Sequence, residues 1–385
     1  MPARSNQRLG ELDALRGLAA LTVVFGHFEG AYTEETKILH GPIPGIVTYC
    51  ISHIFTAGHA AILLFFLLSG FVLALPSVKE KPQSYPVFIT RRIFRIYVPY
   101  LAAIALAVLG NLCWHGALGL TPFADRTWGQ PVHLRPVLQH ILFLGQFDYV
   151  RFNTAIWTLV IEMRVSIVFP VLCLIVLRIR TWISLLVVAI VSILLGFFQI
   201  RFGINEFETN CYFTLYFVVG ILLARYKDKL AQWASDLPKP AASMYLAGAV
   251  LFYFYGSWAL QLASRVLFKL RNPRILAFDG MVGLGATLII VLSLGFLPFS
   301  RFLLSAIPQF LGKVSYSMYL IHSTVLFALL HMLNGKTAPA VILLIYVSLV
   351  LVGSVVMYRF VEKPAMDFGR RITTRAPRLS LQKAT

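Results

Sequence analysis

Apolar residues run through this chain in long stretches, broken by short polar and basic tracts. Ten stretches stand out, at about 12–28, 56–75, 96–113, 155–177, 182–200, 210–224, 241–260, 275–297, 314–333 and 338–358. Each approaches the roughly 20 mostly apolar residues, within about 17–25, that carry an α-helix across a bilayer. The pattern predicts an all-α polytopic membrane bundle of about ten transmembrane helices. The first stretch is the least apolar, because it holds Asp13, Arg16 and His27, and the sixth is short. It is followed by Glu29, Tyr32 and Glu34 rather than by a small-residue cleavage site, so the first stretch is read as a retained helix. Two connections, 29–55 and 114–154, are longer than the rest. Each contains a mildly apolar segment, Ile43–Ile54 and Val137–Phe147, suited to a short interfacial helix. With no repeat, low-complexity tract or linker in view, the expected organisation is one transmembrane domain over 1–360 and a basic cytoplasmic tail over 361–385. Any chemistry then belongs inside the bundle.

Composition narrows the picture. Of 385 residues, 58% are hydrophobic and 13% charged, against roughly 45–50% and about 25% in soluble globular chains. That excludes a soluble enzyme and an intrinsically disordered chain. Lys and Arg number 34 against 16 Asp and Glu, a formal charge of +18. With the N-terminus placed inside, 22 basic residues fall in inner tracts and ten in outer ones, which predicts both termini in the cytoplasm. Basic tracts beside apolar runs meet anionic lipid or a phosphorylated ligand; nucleic acid is not expected, since it needs a water-facing basic groove. Cys50, Cys113, Cys173 and Cys211 stand far apart without a CxxC, so no metal site or redox framework is implied. A disulfide between Cys50 and Cys113, both on the expected outer side, stays open.

Several polar groups sit where apolar residues would be cheaper. Arg16 and His27 are eleven positions apart, so an ideal helix turns them only about 20° from one another and separates them by roughly 16 Å along its axis. Asp13, three residues before Arg16, is placed to pair with it. An ionisable group at mid-membrane costs about 2.5–3.5 kcal/mol on the most lenient scale, which favours an inward polar face; a snorkelling arginine and an interfacial histidine are the alternative. Phe65–Phe71, with Phe66 and Ser69, makes a notch that lines a passage or a small-residue helix contact. Arg91, Arg92 and Arg95 could grip phosphates or simply mark the inner side. Trp157, Glu162 and Arg164 lie inside one apolar stretch, and the two charges need partners, in each other or across the bundle. Tyr316 and His322 could line a cavity or bond between helices. Arg359–Pro364 reads as a helix stop.

Taken together, these residues resemble the acyltransferase-3 family of integral membrane acyltransferases, over nearly the whole chain from Leu12 to Pro364. The most specific features are the Arg-x10-His signature of Arg16 and His27, Phe65–Phe71, Arg91–Pro99, Trp157–Glu162, Ser315–His322 and Glu362–Pro364. Arg164 departs from the family pattern, as does the apolar approach of Ala61, Ile62 and Leu63. The resemblance implies an O-acyltransferase of the cell (inner) membrane, multi-pass in the lipid bilayer. It would move an acyl group, acetyl on account of a passage narrowed by Phe65 and Phe66, from acyl-CoA (acetyl-CoA) to a carbohydrate hydroxyl such as that of a surface polysaccharide or glycolipid. Acyl-CoA enters as a donor substrate; no permanently bound cofactor and no metal are expected. Under that reading His27 is the general base and Asp13 fixes Arg16, which serves the coenzyme arm or the cavity wall. Arg91, Arg92 and Arg95 hold the coenzyme phosphates, while Phe66 and Ser69 line the way in. Glu162 orients His27 or binds acceptor hydroxyls, Trp157 stacks on a sugar, and Tyr316 and His322 line the cavity. An acyl-histidine route stays open. The rivals are a proton-coupled transporter, for which the intramembrane charges would also serve, and acylation of a small cytosolic acceptor.

Overall fold

A computed structural model describes residues 9–33, 52–142, 147–202, 206–268 and 279–375. Helices dominate it, and no strand occurs among the described residues. In chain order they are α1 (Gly10–Tyr32), α2 (Gly58–Val78), α3 (Tyr85–Cys113), α4 (Pro122–Arg126), α5 (Leu134–Leu142), α6 (Ile156–Arg178), α7 (Thr181–Phe202), α8 (Glu206–Asp236) and α9 (Lys239–Phe268). Then come α10 (Asp279–Gly295), α11 (Leu297–Leu303), α12 (Ala306–Leu333), α13 (Pro339–Met357), a π-helical turn (Tyr358–Glu362) and α14 (Lys363–Arg375). A short helical turn also spans 52–56.

Every one of the ten apolar stretches becomes a helix, which makes the protein a helical membrane bundle. Among the described residues seven helices are long and apolar enough to cross a bilayer; α10 and α11 together make an eighth candidate, bent by 94° at their break. The start of the stretch expected from 275, Cys50 and most of the segment Ile43–Ile54 lie outside the described residues. Of the interfacial segment expected over Val137–Phe147, α5 takes up Leu134–Leu142, and 143–146 fall outside. Cys113, Cys173 and Cys211 are free thiols.

The chain divides into two compact units: Met1–Val23, Ile51–Pro82 and Phe169–Lys313 form one, and Val24–Cys50, Gln83–Val168 and Val314–Thr385 the other. In the first unit α2 and α8 meet at bare backbone. A Cβ added to Gly70 would stand 2.3 Å from the Phe217 carbonyl oxygen, and one on Gly220 2.3 Å from that of Leu67. Only hydrogen at those positions permits this approach, the small-residue packing that membrane helices use in place of a hydrophobic drive. The start of α1 is fixed in the same unit by two polar ties: Ser300 donates to the Glu11 carboxylate at 2.8 Å, and Gln309 Nε2 to the Gly10 carbonyl at 2.8 Å.

In the second unit α12 and the start of α6 share a hydrogen-bonded seam. Asn153 Nδ2 donates to the Leu320 carbonyl at 2.8 Å, Thr154 bonds the Ser323 hydroxyl at 2.9 Å, and the Thr158 and Tyr319 hydroxyls lie 2.7 Å apart. The chain does not stop at Glu362–Pro364, as the sequence suggests. Pro364 lacks an N–H, and its ring would crowd the carbonyl four residues back in a regular helix. The π turn just before it widens the coil, with Lys363 N–H reaching back to the Tyr358 carbonyl, and the helix runs on through α14.

Candidate functional site

The second unit brings His27 and His322 together. His27 sits in the last third of α1, and His322 lies in α12 amid the seam that ties α12 to α6, itself 0% exposed. His27 Nδ1 and His322 Nε2 are 2.6 Å apart, with the rings 17° from parallel and their centroids 4.8 Å apart, so the two imidazoles meet edge to edge. His322 Nδ1 lies 3.2 Å from the Met318 carbonyl. A carbonyl can only accept, so His322 Nδ1 carries the proton and its Nε2 a lone pair. That lone pair in turn accepts from His27 Nδ1–H. The tautomer assigned by this network leaves His27 Nε2 as a proton acceptor. Phe123, from α4, lies against the His27 ring with centroids 5.4 Å apart. The α4 loop is moored by the Thr121 hydroxyl, which donates to the Gly30 carbonyl at 2.8 Å. The Nδ1 edge of His27 is thereby engaged by His322, and its Nε2 carries the remaining lone pair.

A second polar group of the same unit joins α3, α6, α12 and the π turn. Arg92 is buried and bonds the Glu162 carboxylate at 2.7 Å and the Ser166 hydroxyl at 3.0 Å. The pairing across the bundle is therefore realised for Glu162, while Arg164 reaches the Tyr149 hydroxyl at 3.4 Å. Arg95 lies over the Tyr316 ring, 6.0 Å from its centroid, and reaches the Met366 sulfur at 2.8 Å. Tyr316 donates to the Ile96 carbonyl at 2.8 Å. Glu362 is 2% exposed and accepts from Ser317 at 2.6 Å. Arg91 donates to the Thr373 hydroxyl at 2.9 Å, so α14 packs along the same side of α3. Trp157 is half-buried in the first turn of α6.

The remaining expected residues lie in the first unit. Arg16 donates to the Asp13 carboxylate at 3.4 Å, as its spacing predicts, and to the Leu68 carbonyl of α2 at 3.0 Å. Phe66 is buried between Phe213 and Phe217, with centroids 4.9 and 5.5 Å away, and Ser69 is buried beside the α2–α8 crossing. The candidate residues thus fall into two sets. His27, Arg91, Arg92, Arg95, Trp157, Glu162, Tyr316 and His322 belong to one unit, Asp13, Arg16, Phe66 and Ser69 to the other.

Three contributors escape a reading of the sequence. Phe123 is one aromatic in a polar loop and carries no signal. Ser166 is marked only by lying four residues after Glu162, one helical turn. Glu362 reads as a helix end, yet a carboxylate closing an apolar stretch was a usable sign. Among the described residues no group of three or more His, Cys, Asp or Glu could hold a metal.

No curated protein and no solved structure matches the chain. A family model described as an acyltransferase domain matches residues 9–359. That span takes in α1 through α13, the imidazole pair and the Arg92–Glu162 pair, and the chain belongs to the acyltransferase-3 family of membrane acyltransferases.

Proposed function

We propose that the protein is an O-acyltransferase that moves an acetyl group from acetyl-CoA to a carbohydrate hydroxyl at the cell inner membrane. The observation that carries this reading is the His322–His27 relay, which leaves His27 Nε2 as a proton acceptor. The acceptor hydroxyl gives its proton to Nε2 while its oxygen attacks the thioester carbonyl. Collapse of the tetrahedral intermediate breaks the carbon–sulfur bond, and the departing thiolate takes the proton back from the imidazolium. General-base catalysis of this kind is worth about 10²–10⁴-fold. His322, accepting from Nδ1–H, shares the positive charge that develops on His27.

Arg91 and Arg95 are the residues for the coenzyme phosphates, since both are partly exposed and their hydrogen-bond acceptors among the described residues, Thr373 and Met366, are neutral. Arg92 is better suited to holding Glu162 and α6 in place, because it is buried and already paired with a carboxylate. Arg16 serves the wall of the first unit, with Asp13 fixing its rotamer.

The test is thiol release from acetyl-CoA, with acetyl transfer, by protein purified into lipid nanodiscs. His27→Ala lowers transfer by about 10²–10⁴-fold with the helical content unchanged. Transfer at the wild-type rate in that variant removes the base assignment. A donor-independent, gradient-driven flux of solute in the same preparation would favour a carrier instead.

A further inference from the structure

A limit on acyl size is expected from the sequence at Phe65 and Phe66. In the structure Phe66 is spent on packing within the first unit, between Phe213 and Phe217. The ring that stands beside the base, apart from His322, is Phe123, with planes 29° from parallel and centroids 5.4 Å apart. Gly30 of α1 backs this ring, since a Cβ there would stand 3.7 Å from it, and Phe327 of α12 lies 6.2 Å away between centroids. His27 and Phe123 each keep part of their surface open, whereas Thr121, Ala124, Trp128 and Phe327 around them are buried. The accessible surface at this level belongs to the base and the phenyl ring.

The helix α12 is continuous, so levels along it follow from about 1.5 Å per residue. Tyr316 marks the arginine end: Arg95 lies over its ring, and its hydroxyl bonds the Ile96 carbonyl. His322 is six residues farther, about 9 Å, and Phe327 eleven residues farther, about 16 Å. Phe123 meets both His27 and Phe327, so it stands at the base and on the side away from the arginines. A coenzyme arm that starts at Arg91 and Arg95 brings its acyl group to His27 as the leading end. The acceptor oxygen has to come within about 2.6–3.2 Å of Nε2, and the thioester carbon within about 3–3.5 Å of that oxygen. The acyl tail therefore shares the shell around the imidazole with the Phe123 ring.

Such a wall sorts chains by length only if it is fixed, and this one is braced. Thr121 caps α4 by accepting the Ala124 N–H at 3.3 Å while donating to the Gly30 carbonyl. Asp125 accepts from the Leu118 and Gly119 N–H groups at 2.8 and 3.0 Å, and Trp128 Nε1 donates to the Phe152 carbonyl at 3.0 Å. Trp128 holds a φ of 58°, a left-handed backbone that a bulky residue rarely adopts. Conformations of this kind persist where the surroundings over-determine them, and they gather at functional sites. We propose that Phe123 is the specificity-determining residue that limits the transferred group to acetyl, by closing the space beside the thioester carbonyl against longer chains. This rests on the reading of acyl-CoA as the donor and His27 as the base.

The experiment uses the full chain in nanodiscs, with purified envelope polysaccharide from the source cells as acceptor and acetyl-, propionyl- and butyryl-CoA as donors. The readout is the kcat/KM for thiol release from each longer thioester, divided by that from acetyl-CoA. A methylene more or less in an apolar pocket is worth about 10–200-fold. Phe123→Ala should therefore raise the butyryl-to-acetyl ratio at least about tenfold, and Phe123→Trp should lower the propionyl-to-acetyl ratio. Opposite shifts at one position cannot come from lost folding. Either ratio staying within about threefold of wild type overturns the assignment. An equal fall for all three thioesters does so too, being the mark of a ring that merely orients His27. Wild-type turnover of butyryl-CoA as fast as acetyl-CoA overturns it while leaving acyl transfer standing. Thiol release from none of the three by the wild-type protein overturns the donor reading itself, and the size limit with it.

Discussion

Replacing His322 by alanine tests the relay directly. The imidazole is fully buried, its Nε2 lies 2.6 Å from His27 Nδ1, and its own Nδ1 is committed to the Met318 carbonyl. Truncation leaves a buried N–H on His27 with nothing to receive it, which costs about 1–3 kcal/mol. His27 can recover part of that only by turning or by taking the other tautomer, and either change removes the lone pair from the reacting edge. If the whole cost appears in the transition state, at 1.36 kcal/mol per tenfold, kcat falls by about 5- to 150-fold. Donor KM should stay within about twofold, because His322 touches no residue assigned to the coenzyme. The assay is thiol release from saturating acetyl-CoA with the acceptor present, for wild type, His27→Ala, His322→Ala and the double variant. Residues acting as one unit are strongly non-additive, so the double variant should be no slower than His27→Ala. Two results refute the reasoning: His322→Ala within twofold of wild type, or a double variant whose loss is the product of the single ones.

Other consequences are open to measurement. Arg92→Ala should break the Arg92–Glu162 pair and destabilise the second unit by about 3–5 kcal/mol, seen as a lower unfolding midpoint in detergent, while Arg92→Lys recovers part of it; an unchanged midpoint removes the pair from the account. Gly70→Val should disrupt the α2–α8 crossing, because its Cβ would overlap the Phe217 backbone, and the yield of folded protein should collapse; wild-type yield would show that this approach is not needed. In the short helix α5, burial pushes the His140 imidazole from its ordinary 6.5 down to about 4, with the Asp148 charge opposing and Arg151 assisting. The unfolded chain then binds the proton more readily, so this contribution is whole above about pH 6.5 and is lost as the pH falls toward 4. The unfolding midpoint of the wild type should drop between pH 7 and pH 4.5 more than that of His140→Gln, and equal slopes would exclude His140 as a source.

The sequence made the architecture readable because a bilayer leaves few choices. Backbone groups must be satisfied within each segment, so a long apolar stretch is a helix, and all ten stretches are. The site was readable where a polar residue stood out against apolar neighbours: Arg16, His27, Arg92, Glu162 and His322 all did. Which of them touch was not. Spacing on α1 links Arg16 to Asp13, three residues apart, and the structure agrees. No local rule could join His27 to His322 across 295 positions, or choose Arg92 rather than Arg164 for Glu162, because those contacts depend on how helices pack. Phe123 shows the same limit from the other side, since a ring in a polar loop gains its place over His27 only through the Thr121 mooring. The passage through Pro364 was misread because proline usually ends a helix, and only a π turn, which leaves no periodic trace in five residues, lets it continue.

The division of α1 between two discontinuous units bears on how the protein is made. A ribosome delivers α1 and α2 long before α8, and α12 emerges later still, so neither unit can close until most of the chain has been synthesised. During that wait the first helix carries an arginine and an aspartate in its apolar stretch with few neighbours to shield them. The Asp13–Arg16 pair is the partnership available from the outset, being three residues apart on one strand of nascent chain. The pair can serve biogenesis first, by keeping the two charges matched while the partner helices are still unmade.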